Sequence, residues 1–551
     1  MKENKFFIIS LISLMIFITS FGMVYAEDTS LNKTVSSNNN VISIDNGNNE
    51  ILQDSTGFDF NSIQTRVDNS NDTVKLDKGN YVSNKKAIVI NKSITIDGSS
   101  SILDAKGLSD VFYIKEGNSV TLENMNIINS KNTAIFSDNA NLHIINCTFS
   151  HNNGVLNSEE SNIYITGCEF KNNNLMEGYY YIVTTSLSTL RVTDSNFTDN
   201  AAGIRFDNEY DIKCTIDSCN FINNGGEYGG ALQIIGGIVS NSLFENNKNY
   251  NGGAILSYVE LDVENCRFIN NKASEGGSIT HYGEMNSKGY NGILRIVNST
   301  FINSEASEFG NAIYAYCSDV ELINSSISSK DNKINNIYIK IGKLKNENSN
   351  ITPNNIRILS TIPAKFVGKR LTVTYNSGKY YSVRLLDRED NSECHYAKGL
   401  IKIYKGNKLI KSFTKKADDF SYFKFKINPK WGIGKFKVVI TQTDKHYKAK
   451  KFVSYITVKK TNILITVQKS VKKYKKLSIK IKNKSKKPIS KIKIKVKVYT
   501  GQDYKTFKIK TDNKGIAKLN TNKIEKGKHR LTIDSLNKKY KISIERDIRV
   551  I

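Results

Sequence analysis

The sequence predicts an all-β chain in which a right-handed parallel β-helix is followed by two smaller β-sandwiches. Three observations predict it. An anchored repeat recurs every 21 to 33 residues between Val120 and Ile327, the period of a solenoid. Within it the apolar residues alternate as in strands and lack a 3.6-residue rhythm. After residue 361 longer alternating strands take over, the grammar of antiparallel sheets.

In chain order, Lys2 and Lys5 precede an apolar run from Phe6 to Tyr25, with Val24 and Ala26 at cleavage spacing. This predicts a signal peptide over residues 1–26, cut after Ala26, and an extracellular or cell-surface destination. The run is also long enough to stay as an uncleaved anchor, the one route by which a membrane would be a partner. No C-terminal anchor helix or sorting signal is expected before Ile551. Residues 27–55, rich in Asn and Ser, read as a disordered leader. A short helix is expected from Asp59 to Val67, with Phe60, Ile63 and Val67 on one face and Asn61 as N-cap. Short strands follow at Thr73–Leu76, Ala87–Ile90, Ser93–Ile96 and Val111–Ile114.

The repeat itself is clearest in Leu142-His-Ile-Ile-Asn-Cys-Thr-Phe149, Ile163-Tyr-Ile-Thr-Gly-Cys-Glu-Phe170 and Leu261-Asp-Val-Glu-Asn-Cys-Arg-Phe268. Its anchors are Phe149, Phe170, Phe197, Phe221, Phe244, Phe268 and Phe301, with Ile127 and Ile327 at the ends. Leu142 and Ile144 alternate, yet Cys147 and Phe149 are out of phase with them by one residue, so the chain turns between the two pairs. The residue at that point is Asn124, Asn146, Gly167, Asp194, Ser218, Asn241, Asn265, Asn298 or Asn324. Asn, Gly and Asp are the types that tolerate a left-handed backbone, so these are read as corners. Each Phe-x-x-Asn leads to a further turn and a third strand, as in Phe221-Ile-Asn-Asn224 with Gly229-Gly-Ala-Leu232 and Phe244-Glu-Asn-Asn247 with Gly252-Gly-Ala-Ile255.

Paired Phe-x-x-Asn and Gly-Gly-Ala-Ile motifs resemble the repeats of polymorphic outer-membrane-type proteins. With the Lys-rich C-terminal part, the chain resembles adhesin-like surface proteins of methanogenic archaea. The repeat covers about residues 120–330 and departs from the motif at Ile127, Ile327 and Phe301, where Ser304 replaces Asn and Gly310-Asn311 replaces Gly-Gly. The stretch before residue 120 resembles the opening of pectin-lyase-like β-helices, and the β-helix is assigned residues 56–345.

Seven strands between Leu371 and Val458 suggest an immunoglobulin-like sandwich over 361–459, and a second is assigned to 461–551. In the second, Lys491, Lys493, Lys495 and Lys497 alternate with β-branched residues, which puts the lysines on the solvent face of one strand. Thr511-Asp-Asn-Lys-Gly-Ile-Ala-Lys-Leu519 and Gly527-Lys-His-Arg-Leu-Thr-Ile533 resemble bacterial-type Ig-like repeats.

The formal net charge of +27 conceals a partition, with −12 over residues 1–360 and +39 over residues 361–551. A basic half attracts polyanions. Export disfavours nucleic acid, and the single Trp431 leaves no repeated stacking platform. A cell-envelope polyanion or glycan is therefore the expected partner, with the lysine rows at Lys491–Lys497 as tether, and the surface of another cell is a further one.

No catalytic, cofactor-binding or metal site is expected. A pectin-lyase-like fold includes enzymes acting on acidic polysaccharides, so a lyase or hydrolase is the alternative. Their clustered aspartates with Gly-His-Gly and Arg-x-Lys elements are missing around His143, His151, His281, His395, His446 and His529. Asp194, Asp199, Asp207, Asp211 and Asp217 are dense in sequence and read as solvated turn residues rather than acid-base or Ca²⁺ groups. Cys147, Cys168, Cys219 and Cys266 share one repeat position and read as a column of small buried packing residues with free thiols.

Overall fold

The computed structural model describes residues 58–551, apart from 176–180, 208–213, 226–229, 285–289, 331–332 and 485. The expected signal segment with Ala26, the leader, Asp211 and Gly229 lie outside the described residues. The helix runs Phe60–Asn69 and buries Phe60, Ile63 and Val67 against the first coil. Its N-cap is Asp59 and not Asn61. Asp59 is extended, with φ −131°, and its carboxylate accepts from the Ser62 amide at 2.8 Å, so an orphan N–H of the first turn is already satisfied one residue before Phe60.

Beyond the helix the chain winds into a right-handed parallel β-helix of about 11 turns within one 32-stranded sheet. At ~4.8 Å per turn the rod is on the order of 50 Å long. One turn holds three strands, such as Asn162–Thr166, Glu169–Lys171 and Val183–Ser186. Each pairs in register with its equivalents above and below: Ile163 faces Leu142 and Leu190, and Phe170 faces Phe149 and Phe197.

The corners are where the sequence places them. All nine residues between first and second strands, from Asn124 to Asn324, have φ between +48° and +64°. One left-handed residue resets the alternation, which is why Ile144 and Cys147 both point inward although three residues apart. A second set of left-handed corners, at His151, Asn172, Asp199, Asn223, Asn246, Asn270 and Asn303, follows two residues after each Phe, with φ from +51° to +58°.

Three columns fill the coil at these corners. The seven Phe rings stack with centroids 4.3–5.0 Å apart and planes within 12° of parallel, and Ile127, Ile327 and Ile351 continue the column in register. Beside it, Asn152, Asn173, Asn200, Asn224, Asn247 and Asn271 are buried. Each Nδ2 from Asn152 to Asn247 donates to the next Oδ1 at 2.9–3.2 Å. Each also donates to a carbonyl of the preceding coil, for example Asn200 to Phe170 at 2.9 Å. The same Oδ1 accepts the backbone N–H of the Asn one coil earlier. The Asn of the Phe-x-x-Asn motif thus supplies the hydrogen bonds that a corner takes away from the strand ladder.

The third column, from Cys147 to Ser325, is built of Cys and Ser. Cys168, Cys219 and Cys266 donate their backbone N–H to Ser195, Ser242 and Ser299 Oγ, each at 3.1 Å. The Cys thiols lie 3.2–3.4 Å from the carbonyl two residues back, where Ser195 makes the same bond with its hydroxyl. Cys here is a weak-donor replacement for Ser.

The coil does not end at 345. Leu344–Glu347, Asn350–Thr352 and Ile356–Leu359 form one more turn paired to the turn before; Ile351 standing for Phe hides it in the sequence. The first sandwich packs a four-stranded sheet on a five-stranded one. Its nine strands exceed the seven expected because Ile362–Val367 carries Pro363 and Tyr447–Ala449 is three residues long, so neither reads as an alternating strand. The second sandwich pairs a three-stranded with a five-stranded sheet.

The first sandwich also closes the rod. Cys317 and Ile341 of the last coils share its core with Ile362, Leu385 and Ile401. Lys340, 1% exposed, reaches from the coil to Asp387 at 2.7 Å and Asp390 at 2.6 Å. Burial lowers the Lys340 pKa, but the two aspartates more than offset this and hold it above its usual value. Glu389 takes both the Tyr338 hydroxyl and the Arg357 guanidinium.

Asn200→Ala removes two donor bonds and strips Asn173 of its acceptor, so it should destabilise the rod by roughly 2–4 kcal/mol. Asn220→Ala, which loses only an exposed rung to Asn196, should cost within about 0.5 kcal/mol. Urea denaturation of the full chain compares the two. Lys340→Ala strands two aspartates at the junction and should cost about 3–5 kcal/mol, read as earlier melting of the first sandwich.

Candidate functional site

Of the four described aspartates from Asp194 to Asp217, Asp194 and Asp217 are neighbours on adjacent coils, the Asp194 N–H donating to the Asp217 carbonyl oxygen at 3.2 Å, whereas Asp199 and Asp207 lie at another corner and on another face. Asp194 and Asp199 occupy successive left-handed corners, Asp207 ends a third-face strand beside Arg205, and Asp217 ends a first-face strand. Asp217 accepts from Ser240 at 2.6 Å and Asn241 at 2.7 Å, which holds its carboxyl below the usual range. Among the described residues no group of His, Cys, Asp and Glu converges as a metal site would. All seven cysteines are free and buried, and burial pushes the Cys219 and Cys266 thiols up to about 12, away from the reactive thiolate. His281 lies inside the coil, 2.8 Å from the Ser257 hydroxyl, and burial drives its pKa down to about 3.

Polar and aromatic groups gather instead on the outer side of the third face. Strands Ile255–Glu264, Ile279–Tyr282, Ile313–Tyr316 and Ile337–Lys340 stack in register. The alternation turns two columns away from the coil interior, Leu256, Thr280, Tyr314 and Tyr338, then Tyr258, Tyr282, Tyr316 and Lys340, yet Leu256, Thr280, Tyr314, Tyr338 and Lys340 are buried. Tyr282 contacts Tyr258, Tyr314 and Tyr316 with centroids 5.8–6.2 Å apart. Two side strands, Lys272–Glu275 and Glu305–Phe309, pair with each other beside the coil and lay Phe309 against Tyr314 and Tyr338. Gly276 then returns the chain to the coil at φ +57°, where a Cβ would meet the Ile279 carbonyl oxygen at 2.1 Å; this is the physical content of the Gly-Gly motif.

Glu275 enters this aromatic layer and accepts from the Tyr282 hydroxyl at 2.8 Å. Burial pushes its carboxyl up to about 7. The layer escaped the sequence reading, although Tyr258, Tyr282 and Tyr316 each stand three residues after the Ile of a glycine-led motif. That recurrence was the available signal.

Of the lysines picked from sequence, Lys493, Lys495 and Lys497 lie on the strand Lys493–Thr500 with Ile494, Val496 and Val498 buried beneath them. Lys491 does not join them. It sits at a turn with φ +57° and donates its N–H to Thr511. The adjoining edge strand Asp503–Lys510 sets Lys508 opposite Lys495 and Lys510 opposite Lys493. Among the described residues no helix is long and apolar enough to cross a membrane. Asn146, Asn298 and Asn324, each opening an Asn-x-Ser/Thr sequon, are exposed at corners.

The raised Glu275 pKa means that the folded chain keeps a proton which the unfolded chain releases near pH 4.5. Stability should therefore fall as pH rises from about 4.5 to 7. Melting curves of wild type and Glu275→Gln between pH 4 and 8 check this, and the variant should lose that part of the slope.

No curated protein matches the chain. Among solved structures, a bacterial integrin-binding invasin is 14% identical with TM-score 0.23, covering 34% of this chain and 39% of its own. The tetra-tandem repeat in the extending region of a large adhesion protein is 7% identical with TM-score 0.21, covering 35% and 50%. The chain thus spans about two fifths of the invasin and half of the adhesion-protein repeat. The family described as the right handed beta helix region matches residues 110–272, within the coil described above.

Proposed function

We propose that this is a secreted or cell-surface, adhesin-like binding protein without catalytic activity. Its rod presents a binding face to glycan or protein ligands. Its two basic sandwiches, read as Ig-like modules, act as stalk and as an electrostatic tether to a polyanionic envelope. The observation that carries this reading is the charge partition, −12 over residues 1–360 and +39 over residues 361–551, on a chain whose two parts are joined by the buried Lys340 cluster. An acidic rod is repelled by the same envelope that its basic stalk is drawn to, which orients the rod outward.

A polysaccharide lyase or hydrolase is the second reading, favoured by Glu275 alone, a carboxyl that protonates near 7 beside the Tyr282 hydroxyl. Release of reducing or unsaturated ends from acidic glycans would support it. For the tether, the full chain bound to isolated envelopes should elute as NaCl rises from about 0.1 to 1 M, because exposed charge pairs are screened over that range. Retention through 1 M salt would exclude an electrostatic tether. A glycan array and whole-cell binding with the full chain identify what the rod contacts.

A further inference from the structure

Within the basic half, the hairpin Lys493–Thr500 and Asp503–Lys510 of the second sandwich stands apart. Its outer side carries two facing rows: Lys493, Lys495, Lys497 and Tyr499 on one strand, and Lys510, Lys508, Thr506 and Tyr504 opposite them. Like charges directly across an antiparallel pair are destabilising, and here two such pairs are consecutive. On its other flank Lys495 faces Asp534. The remaining acidic groups of the face, Glu545 and Asp547, lie on the far strand Ser543–Val550, where Glu545 is 3.7 Å from Arg530. The hairpin's own acidic residue, Asp503, sits at its turn, outside the lysine rows.

Two tyrosines close the lysine rows. Tyr499 and Tyr504 are paired across the hairpin with centroids 5.3 Å apart, and Tyr504 is 51% exposed. The Lys497 ammonium lies 4.1 Å from the Tyr504 centroid and the Arg530 guanidinium 4.3 Å from that of Tyr499. These cations rest on ring faces. A simpler role exists for part of the pattern, since lysines on an edge strand block sheet-to-sheet pairing. That accounts for Lys508 and Lys510 but not for Lys495 and Lys497, which lie one strand in, nor for the exposed Tyr504.

The equivalent hairpin of the first sandwich, Lys398–Lys405 with Lys408–Lys416, lacks the feature. Lys398 opposes Lys416, but the next pairs of that row, Leu400–Thr414 and Lys402–Ser412, are not Lys pairs, and Lys405–Lys408 lies beyond a register shift after Ile403. We propose that the outer face of the Lys493–Lys510 hairpin binds a linear acidic polysaccharide, whose anionic groups meet the lysine rows while a sugar ring packs on Tyr504. This rests on the tether reading and assigns it a place and a ligand class. Rows about 5 Å apart, with ~7 Å steps along each strand, suit a flat chain bearing one acidic group per sugar. The face offers no protruding aliphatic side chain to enter a lipid layer.

The test uses the full chain and polygalacturonate at ~0.1 M NaCl. Lys508→Glu should lower affinity on the order of tenfold and raise the melting temperature of the second sandwich by about 1–3 °C, because it turns an opposed Lys pair into a Lys–Glu pair. Lys408→Glu, an edge-strand change of the same charge on the first sandwich, should cost no more than about threefold. Tyr504→Ala should weaken binding severalfold with the salt dependence unchanged. Equal losses for Lys508→Glu and Lys408→Glu would overturn the site and leave a diffuse electrostatic tether standing. Absence of polygalacturonate binding, while envelopes still bind and elute with salt, would also overturn it. So would tighter binding to phosphatidylserine vesicles that ignores Tyr504→Ala.

Discussion

The left-handed corner is the constraint on which the rod depends. A coil of three short strands must turn sharply, and each turn removes backbone groups from the parallel ladder into a dry interior. The Asn of each Phe-x-x-Asn motif answers this. From Asn152 to Asn271 one side chain per turn accepts the corner N–H of the turn before and donates to a carbonyl there. The Phe three residues earlier stacks on its neighbours at the same corner, so apolar burial and polar satisfaction repeat with one period. Column and ladder hold the three faces in register, and that register lines up Tyr258, Tyr282 and Tyr316 on the third face.

The rod is not independent of the modules that follow it. An open end of a parallel coil leaves strand edges unpaired; here the helix Phe60–Asn69 covers one end, and the first sandwich covers the other through Cys317, Ile341 and the Lys340 pairs. A buried cation shared by two carboxylates is weak evidence for stability, since desolvation opposes the attraction. It does require the two bodies to meet in one geometry. The rod and the first sandwich are thereby carried as one continuous unit.

Legibility followed the strength of each local signal. Corners were readable because Asn, Gly or Asp stood at nearly every one, and even Ser218 fell at the expected place by spacing. The last turn carries no repeat signal because Ile351 packs where Phe does elsewhere, and two strands of the first sandwich carry none because one is three residues long and the other holds Pro363. Asp59 and Asn61 are equally good capping types, and only the extended backbone of Asp59 decides between them. Lys491 continues the alternation of the strand in sequence, and alternation alone cannot show the left-handed turn that sets it before Lys493. The aromatic layer around Glu275 was hidden more deeply. It forms from residues one turn apart and from side strands outside the coil, so no local window contains it.

The most direct measurement is amide hydrogen exchange of the full chain, resolved to the corner residues. Corners held by the asparagine ladder should exchange as slowly as the strands beside them, with the N–H groups of Asn152, Asn173, Asn200, Asn224 and Asn247 protected to the stability of the whole rod. Fast exchange at those five positions, beside protected strands, would contradict the ladder as the element that holds the coil.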